Sequence, residues 1–194
     1  MKLLFNLVVT IIFSTVINVE AKTLGDVYIS ESIKFDDKIL LAQGAGVRSR
    51  FFIDLYVASL FSEPDINSKR LSATDSYEVL NGQSLKAIRL NIVSGLISSE
   101  KMLVSIEEGF QLATNENSKE IDIYITEFVS VFDQPIEKKD QFTFISEPGV
   151  GVHVLKNNVR LTSINNEAFR RALLSIWLGT SPVDKSLKRD MFGK

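Results

Sequence analysis

The chain has 194 residues, 45% of them hydrophobic and 24% charged, the balance of a soluble globular domain rather than a disordered or fibrous chain. It has no cysteine and a single histidine, His153, which excludes disulfides, thiolate chemistry, Cys/His zinc sites and multi-histidine metal centres. With 22 Lys and Arg against 24 Asp and Glu the formal charge is -2, so no general field draws in nucleic acid or anionic lipid, and nucleic acid is not an expected partner.

The chain opens as an address. Lys2, an apolar run from Leu3 to Val19 and the small-residue stretch Val19-Glu20-Ala21 have the layout of a secretory signal peptide cut after Ala21. The run is interrupted by Asn6, Thr10, Ser14, Thr15 and Asn18, and falls short of the about 20 apolar residues that a span needs. Residues 1–21 are therefore expected as a signal peptide. Residues 22–194 are expected as one domain, periplasmic or secreted, without stable membrane insertion after cleavage.

From Val27 onward the pattern predicts strands at Val27–Ser30, Ile33–Phe35 and Lys38–Ala42, a turn at Gly44-Ala45-Gly46, and one long strand from Val47 to Phe61. A short helix follows at Ile66–Ser72, then a strand over Leu85–Val93. Beyond Ser98 and Ser99, either of which can cap, Leu103, Ile106, Phe110 and Ala113 recur at helical spacing. Ile121 to Phe132 fits both periods and is read as helix. Three strands, Phe142–Ile145, Val150–Leu155 and Val159–Thr162, turn at Pro148-Gly149 and Asn157-Asn158. Phe169, Leu173 and Ile176 line a helix that Gly179 stops, and Ser181-Pro182-Val183-Asp184 begins another, with Ser181 as its cap. Strands followed by helices interleaved with further strands predict an α+β fold, an antiparallel sheet covered by helices.

Little in this chain carries chemistry. A serine-histidine-acid triad would have to use His153, which sits mid-strand and is expected to face solvent or be satisfied by a neighbour. Gly44 and Gly46 lack the third glycine of a dinucleotide fingerprint. Asp36-Asp37 and Glu107-Glu108 are adjacent pairs that point apart, and Arg170-Arg171 with Lys185, Lys188 and Arg189 are expected on solvated helix faces. Trp177 fits either a cleft wall or the core. The segment 41–61 is richer. On one extended strand Arg48, Arg50, Phe52, Asp54, Tyr56, Ala58 and Leu60 share a face, which combines a guanidinium fork and a phenol with apolar walls. Arg48 and Tyr56 would then stand roughly 26 Å apart, and a shared ligand would require a bend or bulge around Ser49-Arg50.

The motifs GAGVRSRFFIDLYVASLF, SSEKM at 98–102, FTFISEPGVGVHV at 142–154 and ALLSIWLGTSPVDKSLKRDMFG at 172–193 together resemble the chalcone isomerase-like family, in its bacterial exported branch. The resemblance implies an open-faced β-sandwich, a curved antiparallel sheet with helices layered on it and a ligand cleft between. True isomerases of the family use an Arg, a Tyr, an Asn and a Thr to cyclise an enone. Their fatty-acid-binding relatives keep the Arg and carry Tyr in place of the Thr. By that resemblance Arg48 matches the common Arg, Tyr56 the binders' Tyr, and Ser98 and Ser105 fall where an enzyme would have Tyr and Asn. The expectation is a non-catalytic periplasmic binder of a fatty acid or similar apolar anion, with Arg48, Tyr56 and Phe52 at the ligand, Leu103, Ile106 and Phe110 as further walls, and no metal or cofactor. The alternative is an isomerase acting on a chalcone-like or enone metabolite.

Overall fold

The computed structural model describes residues 23–64 and 76–193. A small ribbon, β1 (Thr23–Leu24) with β2 (Val27–Tyr28), precedes a seven-stranded antiparallel sheet of β3 (Ser32–Phe35), β4 (Lys38–Arg50), β5 (Ile53–Ser62), β6 (Lys86–Ile92), β7 (Gln141–Glu147), β8 (Gly151–Lys156) and β9 (Val159–Ile164). Strand order in the sheet is sequence order, so every neighbouring pair is antiparallel. The helices are α1 (Ser76–Asn81), α2 (Ser99–Thr114), α3 (Asp122–Val129), which runs into a 3-10 turn at Ser130–Phe132, α4 (Glu167–Leu178) and α5 (Lys185–Met191). This is the expected α+β open-faced sandwich.

Strand alternation sorts the apolar side chains onto the two faces of the sheet. Ala58, Leu60, Ile88, Leu90, Phe142, Phe144, Val152 and Val154 point to the helices and form the main core with α2 and α4. The opposite face buries Phe61, Leu85, Ala87 and Ile145 against Ile33, Phe35 and Leu40. The sheet twists far enough to bring its two ends together. Phe35 of β3 meets the His153 ring of β8 at 5.0 Å between centroids, and the Arg160 guanidinium of β9 lies 5.2 Å over Phe35. The result is a half-barrel. On the outer layer α2 and α4 touch closely, because Gly109 leaves room for Ile176 that a Cβ would fill at 2.9 Å.

Most elements lie where periodicity places them, and four expectations are corrected. The long strand Val47–Phe61 is a hairpin: the chain reverses at Phe51-Phe52, with Arg50 and Ile53 paired across the turn. The unbroken apolar pattern hid this turn because neither turn residue is of a usual type. Gly44-Ala45-Gly46 is no turn but mid-strand in β4, where the missing side chains let α5 lie against the sheet: a Cβ on Gly46 would meet that of Asp190 at 2.8 Å, and one on Gly44 would collide with the Asp190 carbonyl. Ser181 does not cap the last helix. Asp184 does, from extended backbone, accepting from Ser186 N–H at 2.9 Å and Leu187 N–H at 3.0 Å. Arg170 is not on a solvated face but 1% exposed. The helix expected at 66–72 lies outside the described residues, and α1 carried too short a pattern to be read from sequence.

Candidate functional site

The hairpin turn brings Arg48 and Tyr56 together. They are Cα partners across β4 and β5, beside a register shift between Arg48 and Ser49, and both stand on the helix-facing side of the sheet. The bulge expected near Ser49 is therefore present, but the reversal at Phe51-Phe52 does the larger part of the work. Arg48 donates from Nη1 to Asp184 Oδ2 at 2.9 Å, with side chains 24% and 19% exposed. Tyr56 accepts on its hydroxyl from Trp177 Nε1 at 3.1 Å. The phenol proton is thereby left to be donated elsewhere.

Four elements build this cluster: β4 supplies Arg48, β5 Tyr56, α4 Trp177, and the start of α5 Asp184. Burial pushes the Tyr56 hydroxyl pKa above its ordinary value, against the opposing pull of the Trp177 bond and of the nearby Arg48 charge. Burial would also raise the Asp184 carboxyl. The bonds from Leu187 N–H and Ser186, with the Arg48 charge, outweigh it and hold the group below the usual carboxylate range. Asp184 thus divides its oxygens, Oδ1 capping α5 and Oδ2 neutralising Arg48. In chemical terms the cluster offers a guanidinium fork and an O–H donor to an anion, and one carboxylate already occupies the fork.

Behind the cluster lies an aromatic interior. Trp177, 5% exposed, stacks on Phe144 at 5.8 Å, and Phe144 leads on to Phe128 at 5.4 Å and Phe132 at 5.5 Å beyond it. Ile106 and Phe110 of α2 are buried in this interior, and Leu103 packs against it half-buried. Phe52 is elsewhere. It is fully exposed at the hairpin tip and walls nothing on the helix side of the sheet. Trp177 is both core and site, since its ring packs while its N–H meets Tyr56. Asp184 was legible from sequence only as a charge near a helix start, because its pairing with Arg48 spans the whole domain.

The positions matched to the isomerase Tyr and Asn are engaged elsewhere or exposed. Ser98 caps α2, accepting from Lys101 N–H at 3.3 Å, and Ser105 is exposed on that helix. His153 is satisfied by neighbours, with Ser163 Oγ 2.8 Å from Nδ1 and Glu147 Oε2 2.9 Å from Nε2. Phe35 covers its ring, so a substrate has no approach from that side. A separate open pocket of about 270 Å³ lies between α1 and the ends of α2 and α4, lined by Tyr77, Leu80, Leu112, Asn115 and Ser181 among others. No group of acidic or histidine side chains among the described residues could hold a metal ion.

The model of a family described as chalcone isomerase-like matches residues 21–193. No curated protein matches the chain. Among solved structures, a fatty-acid binding protein of Arabidopsis thaliana superposes with a TM-score of 0.67 at 19% identity, covering 86% of this chain and 92% of that one. At that identity the likeness establishes a shared fold.

Proposed function

Since this chain belongs to the chalcone isomerase-like family, we propose that it is a non-catalytic binding protein of the exported compartment, which holds a fatty acid or similar apolar anion with its head on Arg48 and Tyr56. The observation that carries this reading is the 2.9 Å bond between Arg48 and Asp184 at the rim of the aromatic interior. The guanidinium is placed to receive a carboxylate, and an incoming one would replace Oδ2 of Asp184 while Oδ1 goes on capping α5. The fold shared with a fatty-acid binding protein supports the same ligand class. Export to the periplasm rests on the signal-peptide layout of residues 1–21; the family match begins at Ala21, the last residue before the proposed cut.

The isomerase alternative finds less support, because Ser98 is occupied in capping α2 and Ser105 is exposed, so neither presents a rigid donor opposite Arg48. Native mass spectrometry of the purified protein tests the binding reading. A co-purifying or added fatty acid should be retained by the wild type and lost from Arg48→Ala by a few kcal/mol, the scale of a charge-assisted bond. Equal retention by both proteins would remove Arg48 from the site. Loss of a chalcone's absorbance in the presence of the protein, abolished by Tyr56→Phe, would favour the isomerase.

A further inference from the structure

The turn between β4 and β5 is the least expected feature of the surface. Arg50 and Ile53 pair across it, leaving Phe51 and Phe52 as a two-residue loop with φ of 51° and 65°. Two positive φ values in such a loop mark the type I′ turn, which favours Asn and Gly and strains bulky side chains. At the same end of the sheet, the β8–β9 hairpin makes a turn of the same kind with Asn157 and Asn158, at φ 50° and 66°, between Lys156 and Val159. One hairpin uses the residues that the geometry prefers and the other uses two phenylalanines, so the turn itself does not account for them.

Packing does not account for them either. Phe51 is 81% exposed, Phe52 107% and Ile53 41%. Strained backbone and exposed aromatics at one place are the combination found where function opposes stability. The Arg50 guanidinium lies 5.5 Å from the Phe51 ring centroid, which puts a cation at the base of the apolar tip. Asp54, which follows the turn on β5, accepts from the Ser49 hydroxyl at 2.6 Å and keeps its charge, and Arg48 is paired with Asp184. At the same sheet end the loop before β7 adds Lys138 and Lys139, against Asp133, Glu137 and an Asp140 already paired with Lys156.

We infer that the Phe51-Phe52 tip is a peripheral membrane anchor, which inserts its two rings at the headgroup boundary of an anionic phospholipid bilayer with Arg50 at the phosphates. Two aromatic side chains present far less than the about 800 Å² per partner of a stable protein interface. They are enough for shallow insertion, in which aromatic rings sit at the boundary and a neighbouring cation reaches the phosphates. The overall charge of -2 gives no general attraction, so docking is local to the tip. Among the described residues no helix is long and apolar enough to cross a membrane, and this contact is one of the surface, not a span. Arg48 and Tyr56 lie back along the same hairpin, with Arg48 turned to Asp184 and Tyr56 to Trp177 rather than to the tip.

A tryptophan reporter at the tip tests this in the full chain. Phe52→Trp places an indole in water, distinguishable from the buried Trp177 by subtracting the parent spectrum. With phosphatidylcholine vesicles containing phosphatidylglycerol, the added emission should shift to the blue and be quenched by lipids brominated on the acyl chain. Adding Arg50→Glu should raise the vesicle concentration for half-maximal shift about tenfold on anionic vesicles, and less on pure phosphatidylcholine. The double substitution Phe51→Asn with Phe52→Gly should keep or raise the melting temperature, since it supplies the residues that the turn prefers. Absence of shift and quenching overturns the anchor. A shift that appears without vesicles and grows with protein concentration assigns the tip to a second copy of this chain and also overturns it. So does a clearly lowered melting temperature in the Asn-Gly protein, which would make the phenylalanines structural.

Discussion

Arg48 and Tyr56, eight positions apart in sequence, are direct partners across the β4–β5 hairpin, and the carboxylate that Arg48 holds comes from Asp184 at the other end of the domain. Fork and countercharge are therefore tied to the start of α5, and the phenol to α4 through Trp177. Asp184→Asn should separate its two tasks, because an asparagine keeps the capping oxygen while removing the charge that competes for Arg48. We expect anion affinity to rise about tenfold and stability to fall by about 1 kcal/mol, the scale of one charge-assisted bond. Displacement of a fluorescent fatty acid, followed alongside thermal melting, reads both. Unchanged affinity would mean that no ligand exchanges with Oδ2.

Two paired carboxylates set a response to acid. Asp184 and Glu167 both titrate below their ordinary values in the fold, so each adds stability that is present above the usual carboxylate range and is lost as pH falls through the lowered values. Denaturant midpoints taken from pH 6 downward should decline mainly below about pH 4. In Asp184→Asn that decline should be shallower.

Lys86 gives the opposite limb. Its side chain is 0% exposed, its ammonium donates to the Ser84 carbonyl at 3.1 Å and the Ser84 hydroxyl at 2.9 Å, and burial with the nearby Arg170 charge lowers its pKa to about 8. Between that value and the ordinary 10.5 the unfolded chain binds a proton that the folded chain does not, so stability rises with pH across this window. Lys86→Met should be more stable than the wild type at pH 7, by on the order of 1 kcal/mol, and should lack the alkaline gain. Urea unfolding at pH 7 and pH 9.5 decides it; a wild type that weakens over this range contradicts the assignment.

Arg170 holds the helix layer to the sheet. It donates to Glu167 Oε1 at 2.6 Å and Oε2 at 2.7 Å, to the Ser146 hydroxyl at 2.9 Å and to the Leu80 carbonyl at 2.7 Å, tying α4 to β7 and α1. Arg170→Ala should cost about 3 kcal/mol, because it empties the volume of a buried side chain and removes four charge-assisted bonds, although the partly exposed Glu167 keeps the Gly149 N–H. Arg170→Lys should recover little, since a single ammonium cannot span a planar fork's partners. Equal stability of the Lys variant and the wild type in chemical denaturation would contradict this.

Gly44 and Gly46 admit α5 to the face of β4, and Asp184 sits at the head of that helix. Gly44→Ala should push α5 off the strand, lowering the melting temperature and speeding amide exchange over residues 185–191. It should also loosen the Arg48 pair, which Gly109→Ala, at the α2–α4 contact, should not do to the same degree. Exchange at 185–191 as slow as in the wild type would show that the helix accommodates the methyl group.

Alternation and helical spacing were enough to read β6 to β8, α2 and α4 from the sequence, because each sets apolar residues on a buried face, whereas β9, whose Val159 and Leu161 are exposed, was placed by the turn before it. The Asn157-Asn158 turn was legible for the same local reason, as its residues suit their backbone. The Phe51-Phe52 turn was not, because its residues belong by type to a strand, and only pairing across the hairpin fixes the reversal. Arg48 and Tyr56 could be picked out as chemistry within one segment, but their meeting depended on that hidden turn. Asp184 joined them through α5, and Arg170 went inside because Ser146 and Leu80, distant in sequence, accept its hydrogen bonds beside the near Glu167, whereas Lys86 is buried with its ammonium bonded to Ser84 two positions away. Local chemistry is written along the chain, whereas burial and ion pairing are set by which distant segments the twisted sheet and its helices bring together.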